Sequence, residues 1–138
     1  MSPEVWGDAR PRIEAAAAAQ SLAVAWPNES FTAPQPPAPW LDIEFNSAAD
    51  TPIEIGATTW QEDGALWLHI MLPTGSGLDT ALALKDALSV AFRNVTDAVT
   101  GLVYRGGQST DPITDGTDDG VYVRLTLAVR YIFQSRVA

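Results

Sequence analysis

Near the end of the chain, residues 121–133 read Val-Tyr-Val-Arg-Leu-Thr-Leu-Ala-Val-Arg-Tyr-Ile-Phe. Every second residue from Val121 to Phe133 is apolar, and most of the residues between them are polar or small. Because side chains alternate between the two faces of a strand, this spacing predicts a long strand with one buried face. The run is longer than most strands of globular proteins, so we expect it to be bulged or to project beyond its sheet.

Other segments of the chain also have the alternation or the short apolar runs of strands. They are Leu22–Trp26, Trp40–Phe45, Ile53–Trp60, Ala65–Leu72 and Leu102–Arg105. The third and fourth are joined by residues 61–64, Gln-Glu-Asp-Gly. Asp-Gly favours a tight hairpin turn because such a turn needs a positive φ, so these two strands are predicted to form a hairpin.

Two segments predict helices. Pro11–Ser21 contains five consecutive alanines, the residue with the highest helix propensity, and Pro11 suits the first helical position. Leu78–Asn94 places apolar residues at helical spacing, and Asp79 near its start complements the helix dipole. Residues 28–39 contain four prolines and no periodicity. They predict an extended segment that either covers its own domain or crosses to a neighbouring subunit.

Two main helices, about six strands and a long C-terminal strand indicate one α+β domain over residues 1–138. We expect a mixed, mainly antiparallel β-sheet with both helices packed on one face. The core should consist of the residues on the apolar face of each element: Leu41, Ile43, Phe45, Leu66, Leu68, Ile70, Leu82, Leu88, Phe92, Leu125, Leu127 and Val129.

The composition of the chain disfavours several classes of function. The net charge is −9, from 17 acidic and 8 basic residues, and the basic residues are scattered, which disfavours sequence-specific binding to the anionic backbone of nucleic acids. The chain has no cysteine, which excludes disulfides and thiolate metal sites. The first residues lack the order of a signal peptide, and the apolar runs are too short to span a membrane. We therefore expect a soluble intracellular protein.

The sequence offers little catalytic chemistry. His69 is the only histidine, and its same-face neighbours in the predicted strand are Trp67 and Met71 rather than a nucleophile or a carboxylate. A histidine held structurally in a strand is the favoured interpretation. The glycine-bearing residues 72–77 precede a helix but lack the lysine that ends a phosphate-binding loop. We predict no catalytic and no cofactor-binding residues.

An acidic, glycine-bearing loop is predicted over Gly106–Gly120. Its spacing does not match a calcium-binding loop, and no glutamate closes it, so no metal site is predicted. Four like charges and several glycines favour a loop that becomes ordered against a partner, with a plain solvent loop as the alternative. The candidate assembly residues are Asp111, Ile113, Asp115, Asp118 and Asp119.

The order of the elements and several short stretches resemble the tail terminator proteins of long-tailed phages and gene transfer agents. An N-terminal helix comes first, and a long strand ends the chain. The stretches between them are Leu22-Ala-Val-Ala-Trp26-Pro-Asn-Glu, Phe31 with a proline-rich run to Pro39-Trp40-Leu41, Glu54-Ile55-Gly56, Gly64-Ala65-Leu66, and Leu72-Pro-Thr-Gly75-Ser-Gly77.

Members of that family form homohexameric rings that stop tail tube polymerisation and present a docking surface to the neck of the head. The resemblance implies a structural virion protein without enzymatic activity, located at the head-proximal end of the tail and assembled in the host cytoplasm. Its implied partners are further copies of itself, the tail tube protein and a neck or head–tail connector protein. DNA would pass through the ring without sequence-specific binding, and no membrane is involved.

Two alternatives remain open at this point. One is another ring-forming virion part, such as a tail tube or neck protein. The other is a small-ligand-binding domain or a monomeric enzyme, against which the missing catalytic constellation counts. The resemblance does not distinguish a phage from a gene transfer agent.

Overall fold

The computed structural model describes residues 1–56, 58–109 and 121–136. It has the predicted α+β fold, with two helices and a mixed sheet. In chain order the elements are α1 (Pro3–Ala19), β1 (Ala23–Ala25), β2 (Trp40–Pro52), β3 (Thr59–Pro73), α2 (Leu78–Val90), β4 (Leu102–Ser109) and β5 (Tyr122–Arg136).

The described strands form one five-stranded sheet in the order β1-β2-β3-β5-β4. β1 pairs with β2 in parallel, and the other neighbours are antiparallel. β5 pairs with β3 along its whole length, from Thr59 opposite Arg136 to Pro73 opposite Tyr122, without a bulge. The long C-terminal strand is therefore matched by an equally long central partner.

The predicted Asp-Gly hairpin turn is wrong. Asp63 and Gly64 lie in the middle of β3, and the hairpin turn follows Pro52 instead. A Cβ at position 64 would lie 2.4 Å from the Tyr131 hydroxyl and 2.7 Å from the backbone oxygen of Asn46. Glycine is needed at this point because neighbouring strands approach closely, beside a register shift between Ser47 and Ala49.

The core lies between the helices and one face of the sheet. Strand register brings Leu68 opposite both Ile43 and Leu127, and all three side chains are at most 2% exposed. Ten of the twelve predicted core residues are buried. Phe45 and Leu82 are not, since they are 43% and 41% exposed. Phe45 nevertheless packs on Trp6, with ring centroids 5.6 Å apart.

Helix α1 begins eight residues earlier than predicted. The Ser2 hydroxyl accepts a hydrogen bond from the Val5 amide at 3.4 Å and caps the helix. Pro11 therefore lies inside the helix rather than at its start. The buried residues recur every four positions, which aligns a narrow stripe of apolar side chains with the sheet: Val5, Ala9, Ile13 and Ala17.

The proline-rich segment between β1 and β2 covers part of its own domain. The Phe31 ring stacks on Trp40 with centroids 4.7 Å apart. The Tyr122 hydroxyl donates to the Pro34 carbonyl at 3.5 Å, and Trp40 contacts Tyr122 edge to face. These contacts favour the covering alternative over a subunit-crossing arm.

Candidate assembly surface

The β2–β3 hairpin presents exposed residues at its end. All residues from Asp50 to Gly56 are exposed. Ile53 is 47% exposed, and Ile55 is 106% exposed, so the Ile55 side chain contacts almost nothing in its own chain. We call residues 50–56 and 58 the hairpin tip.

The turn within the hairpin tip is fixed by hydrogen bonds. The Ile53 amide donates to the Thr59 carbonyl at 3.1 Å, and Gly56 supplies a φ of 107° that side chains disfavour. The Glu54 carboxylate accepts from the Thr58 hydroxyl and, at 2.9 Å, from the Thr59 hydroxyl. These bonds lower the pKa of Glu54, so its charge is held at the tip at neutral pH.

A shallow depression lies on the sheet face opposite the helices, which we call the outer face. By strand alternation, Ile132 and Gln134 share this face with Thr126 and Arg130. The depression has a volume of about 470 Å³ and is lined by Gln61, Gly101, Leu102, Val103, Arg105, Ile132 and Gln134. Val103 is 57% exposed, so an apolar side chain of β4 faces solvent here.

Two contacts shape the floor of this depression. The Gln134 amide donates to the Gln61 side-chain oxygen at 3.0 Å, which ties β5 to β3. Gly101 has a φ of 93°, and a Cβ there would lie 2.2 Å from the Gln134 carbonyl oxygen. Only glycine lets the chain enter β4 this close to β5.

The basic residues of the helix side and those of the depression differ in whether they form ion pairs. On the helix side, Arg10, Arg12 and Lys85 all form ion pairs with carboxylates of the chain. Arg105 is exposed in the depression and has no ion-pair partner among the residues that the structure describes. A neighbouring molecule that docks here would meet the apolar side chains of Val103 and Ile132, the paired glutamines and one guanidinium group.

An Asp8 network positions the start of β4. The Asp8 carboxylate accepts from Arg12 at 2.8 Å, from the Tyr104 hydroxyl at 2.6 Å and from the Val99 amide at 2.9 Å. Burial alone would raise the pKa of Asp8, but these hydrogen bonds outweigh it and lower the pKa. The network links α1 to the segment that leads into the depression.

The predicted assembly residues Asp111, Ile113, Asp115, Asp118 and Asp119 lie outside the described residues. Their role therefore stays a prediction. Sequence patterns alone did not identify the depression, because its lining comes from β3, β4, β5 and the residue before β4. The alternation of Ile53 and Ile55 is visible in the sequence, but it indicated a strand face.

His69 has polar partners that the sequence did not reveal. Its Nδ1 lies 2.7 Å from the Thr126 hydroxyl, and its Nε2 lies 3.1 Å from the Glu44 carboxylate. His69 and Thr126 are 5% and 6% exposed, so the hydroxyl is buried between strands rather than presented to a substrate. The arrangement fits a structural histidine that joins β2, β3 and β5.

The described ranges contain no group of three or more His, Cys, Asp or Glu residues that is placed to hold a metal ion. None of the helices within them is long and apolar enough to cross a membrane.

The comparisons with known proteins agree with the fold. One solved structure, which carries no functional name, aligns with 100% of this chain and 99% of its own length, at 22% identity and a TM-score of 0.71. At that identity it shows the fold alone. No curated protein matches the sequence.

The family model for phage tail terminator proteins matches residues 4–131. The match covers nearly the whole chain, from α1 into β5. The chain therefore belongs to the phage tail terminator family, a family of structural tail proteins rather than enzymes, which confirms the resemblance seen in the sequence. As a phage tail component, the protein is part of the virion.

Proposed function

We propose that this protein caps the tail tube as a homohexameric ring, which ends tube polymerisation and provides the docking surface for the neck of the head. The observation that supports this proposal is the hairpin tip. Solvent-exposed apolar side chains at the end of an extended hairpin, such as Ile53 and Ile55, favour contact with another protein. Family membership makes a tail assembly partner the relevant one.

Two different exposed surfaces, the tip and the depression, suit a ring. A contact between the tip of one copy and the depression of the next would be heterologous, and such contacts form a ring when the rotation between copies closes. The tail tube protein and a neck or connector protein would bind the two sides of that ring. With a net charge of −9, the ring would let DNA pass without sequence-specific binding.

Tail assembly without the protein tests the function. Tails assembled in the host cytoplasm from a genome that lacks this gene should have tubes of uncontrolled length and no attached heads. Addition of the purified protein should restore defined tails, with six-fold density at their head-proximal end in electron micrographs. Tails of normal length with heads attached, in the absence of the protein, would contradict the proposal.

A further inference from the structure

The hairpin tip and the depression complement each other in chemistry. The tip presents Ile53 and Ile55 on either side of the Glu54 carboxylate. The depression presents Val103 and Ile132 beside Arg105. Each surface therefore combines exposed apolar area with charge: the tip carries the carboxylates of Asp50 and Glu54, and the depression carries the guanidinium of Arg105.

We propose that the hairpin tip of one subunit packs into the depression of the next, with Ile55 on Val103 and Glu54 paired with Arg105. This inference rests on the proposed ring and names the residues of its subunit interface. The occupant of the depression is thus a second copy of this chain.

The chain does not satisfy either surface by itself. Ile55 is 106% exposed, and Val103 is 57% exposed. Arg105 has no ion-pair partner within the described parts of the chain. Glu54 is fully exposed in the tip, where it accepts hydrogen bonds from Thr58 and Thr59 and lies in the field of Arg136 without a salt bridge among the described residues. Burial of apolar area is the general driving force for association, so these side chains gain most from contact with another subunit.

The pairing of Glu54 with Arg105 would fix the orientation in which the tip docks. Burial of Glu54 without a cation would cost free energy, and Arg105 offsets that cost because it lies where the tip would dock. The Thr58 and Thr59 hydroxyls already orient the carboxylate. A tip entering with Glu54 away from Arg105 would cover the Arg105 guanidinium without a carboxylate beside it, which disfavours other orientations.

Engineered disulfides provide the test, because the chain has no cysteine of its own. The variant I55C/V103C should give, after oxidation of purified protein and of assembled tails, a ladder of covalent species from dimer to hexamer on a denaturing gel. The control is I55C/V90C. Val90 on α2 is 61% exposed, comparable to Val103 at 57%, but it lies on the helix side, so no ladder is expected.

The possible outcomes distinguish a failure of the proposed interface from a failure of the proposed ring. Six-membered rings in micrographs without a ladder would overturn the interface and leave the proposed function intact. A ladder extending past six, or open filaments, would support the interface and overturn six-fold closure. The absence of both rings and ladder, on tails as well as in solution, would overturn both. An equal ladder from the V90C control would also overturn the interface.

A charge exchange tests the orientation independently. E54R and R105E should each abolish the I55C/V103C ladder, because each places like charges together in the contact. The combination of E54R and R105E should restore it. Failure of the double exchange to restore a ladder, while both variants remain folded by circular dichroism, would overturn the pairing of Glu54 with Arg105.

Discussion

The strands β2 and β3 pass through two different environments. In their helix-covered part, Ile43 and Leu68 pair across the strands and are at most 2% exposed. In the hairpin tip, the turn that joins these two strands presents Ile53 and Ile55 to solvent. One β-hairpin thus contributes both to the core and to a surface that its own chain leaves open.

This contrast indicates that the covered part of the hairpin stabilises the fold, whereas its exposed tip is available for assembly. Apolar burial near the middle of the ladder accounts for folding, because α1 and α2 cover it. Apolar exposure at its end contributes little to the folded monomer. Substitutions in the two regions should therefore have effects of different kind and size, which the following experiments measure.

The largest effect is expected in the covered region. Leu68→Ala removes a fully buried side chain of the central strand and should lower the free energy of unfolding by about 2–5 kcal/mol. Val103→Ala, on the exposed face of β4, is the matched control and should change it by less than about 0.5 kcal/mol. Urea unfolding of both variants checks this. Equal losses would show that the covered face does not dominate stability.

Gly64→Ala should have the next largest effect. The added Cβ meets Tyr131 and the backbone of Asn46, so β3 must move away from its neighbours, at a cost of about 1–3 kcal/mol. Gly7→Ala in α1 is the control, since a Cβ there meets nothing within 4 Å, and it should stabilise the helix by about 0.5–1 kcal/mol. Thermal unfolding of the pair should show shifts of opposite sign. A stabilised Gly64→Ala variant would disprove the close approach.

Gly64 also shows what sequence patterns do and do not determine. Alternation correctly identified the long last strand, the inward residues of β3 and the α+β class, because it reflects burial along a single element. Asp63-Gly64 has the sequence signature of a turn, but glycine is needed at position 64 because a neighbouring strand approaches closely. The residue pattern along one strand does not show how closely its neighbours approach.

The candidate site was predictable only in part. The acidic residues between β4 and β5 are conspicuous in the sequence, and their role remains a prediction. The depression was not predictable, because it combines Gln61, Val103 and Ile132 from three strands whose register sets their distance. Ile55 was visible as an apolar residue, and only the structure shows that its own chain does not cover it.

A smaller effect is expected for Asp8→Asn. The variant loses charge-assisted hydrogen bonds from Arg12 and Tyr104 and should lose about 1 kcal/mol at neutral pH. Since folding lowers the pKa of Asp8, its contribution is present above the unfolded pKa of about 4 and is lost as the pH falls through the folded value. The difference between wild type and variant should therefore shrink below about pH 4.

Denaturant unfolding at several pH values measures that difference. Glu14→Gln is the control, because Glu14 forms an exposed ion pair with Arg10 and should contribute less than about 0.5 kcal/mol. A difference for Asp8→Asn that grows as the solution becomes more acidic would contradict the lowered pKa.

The smallest effect on stability, and the clearest effect on assembly, is expected for Ile55→Ser in the hairpin tip. Because the Ile55 side chain is 106% exposed in the free chain, its loss should change the free energy of unfolding by less than about 0.5 kcal/mol. In the proposed ring, the same side chain would be buried against a neighbour, and its loss should abolish ring formation on native mass spectra and in micrographs of tails. Val90→Ser removes another exposed apolar side chain, 61% exposed and located on α2, and should leave rings intact. If Ile55→Ser rings formed as readily as those of Val90→Ser, the hairpin tip would be an ordinary solvent-exposed turn. If Ile55→Ser instead unfolded the chain, the division between a self-sufficient core and an open assembly surface would be wrong.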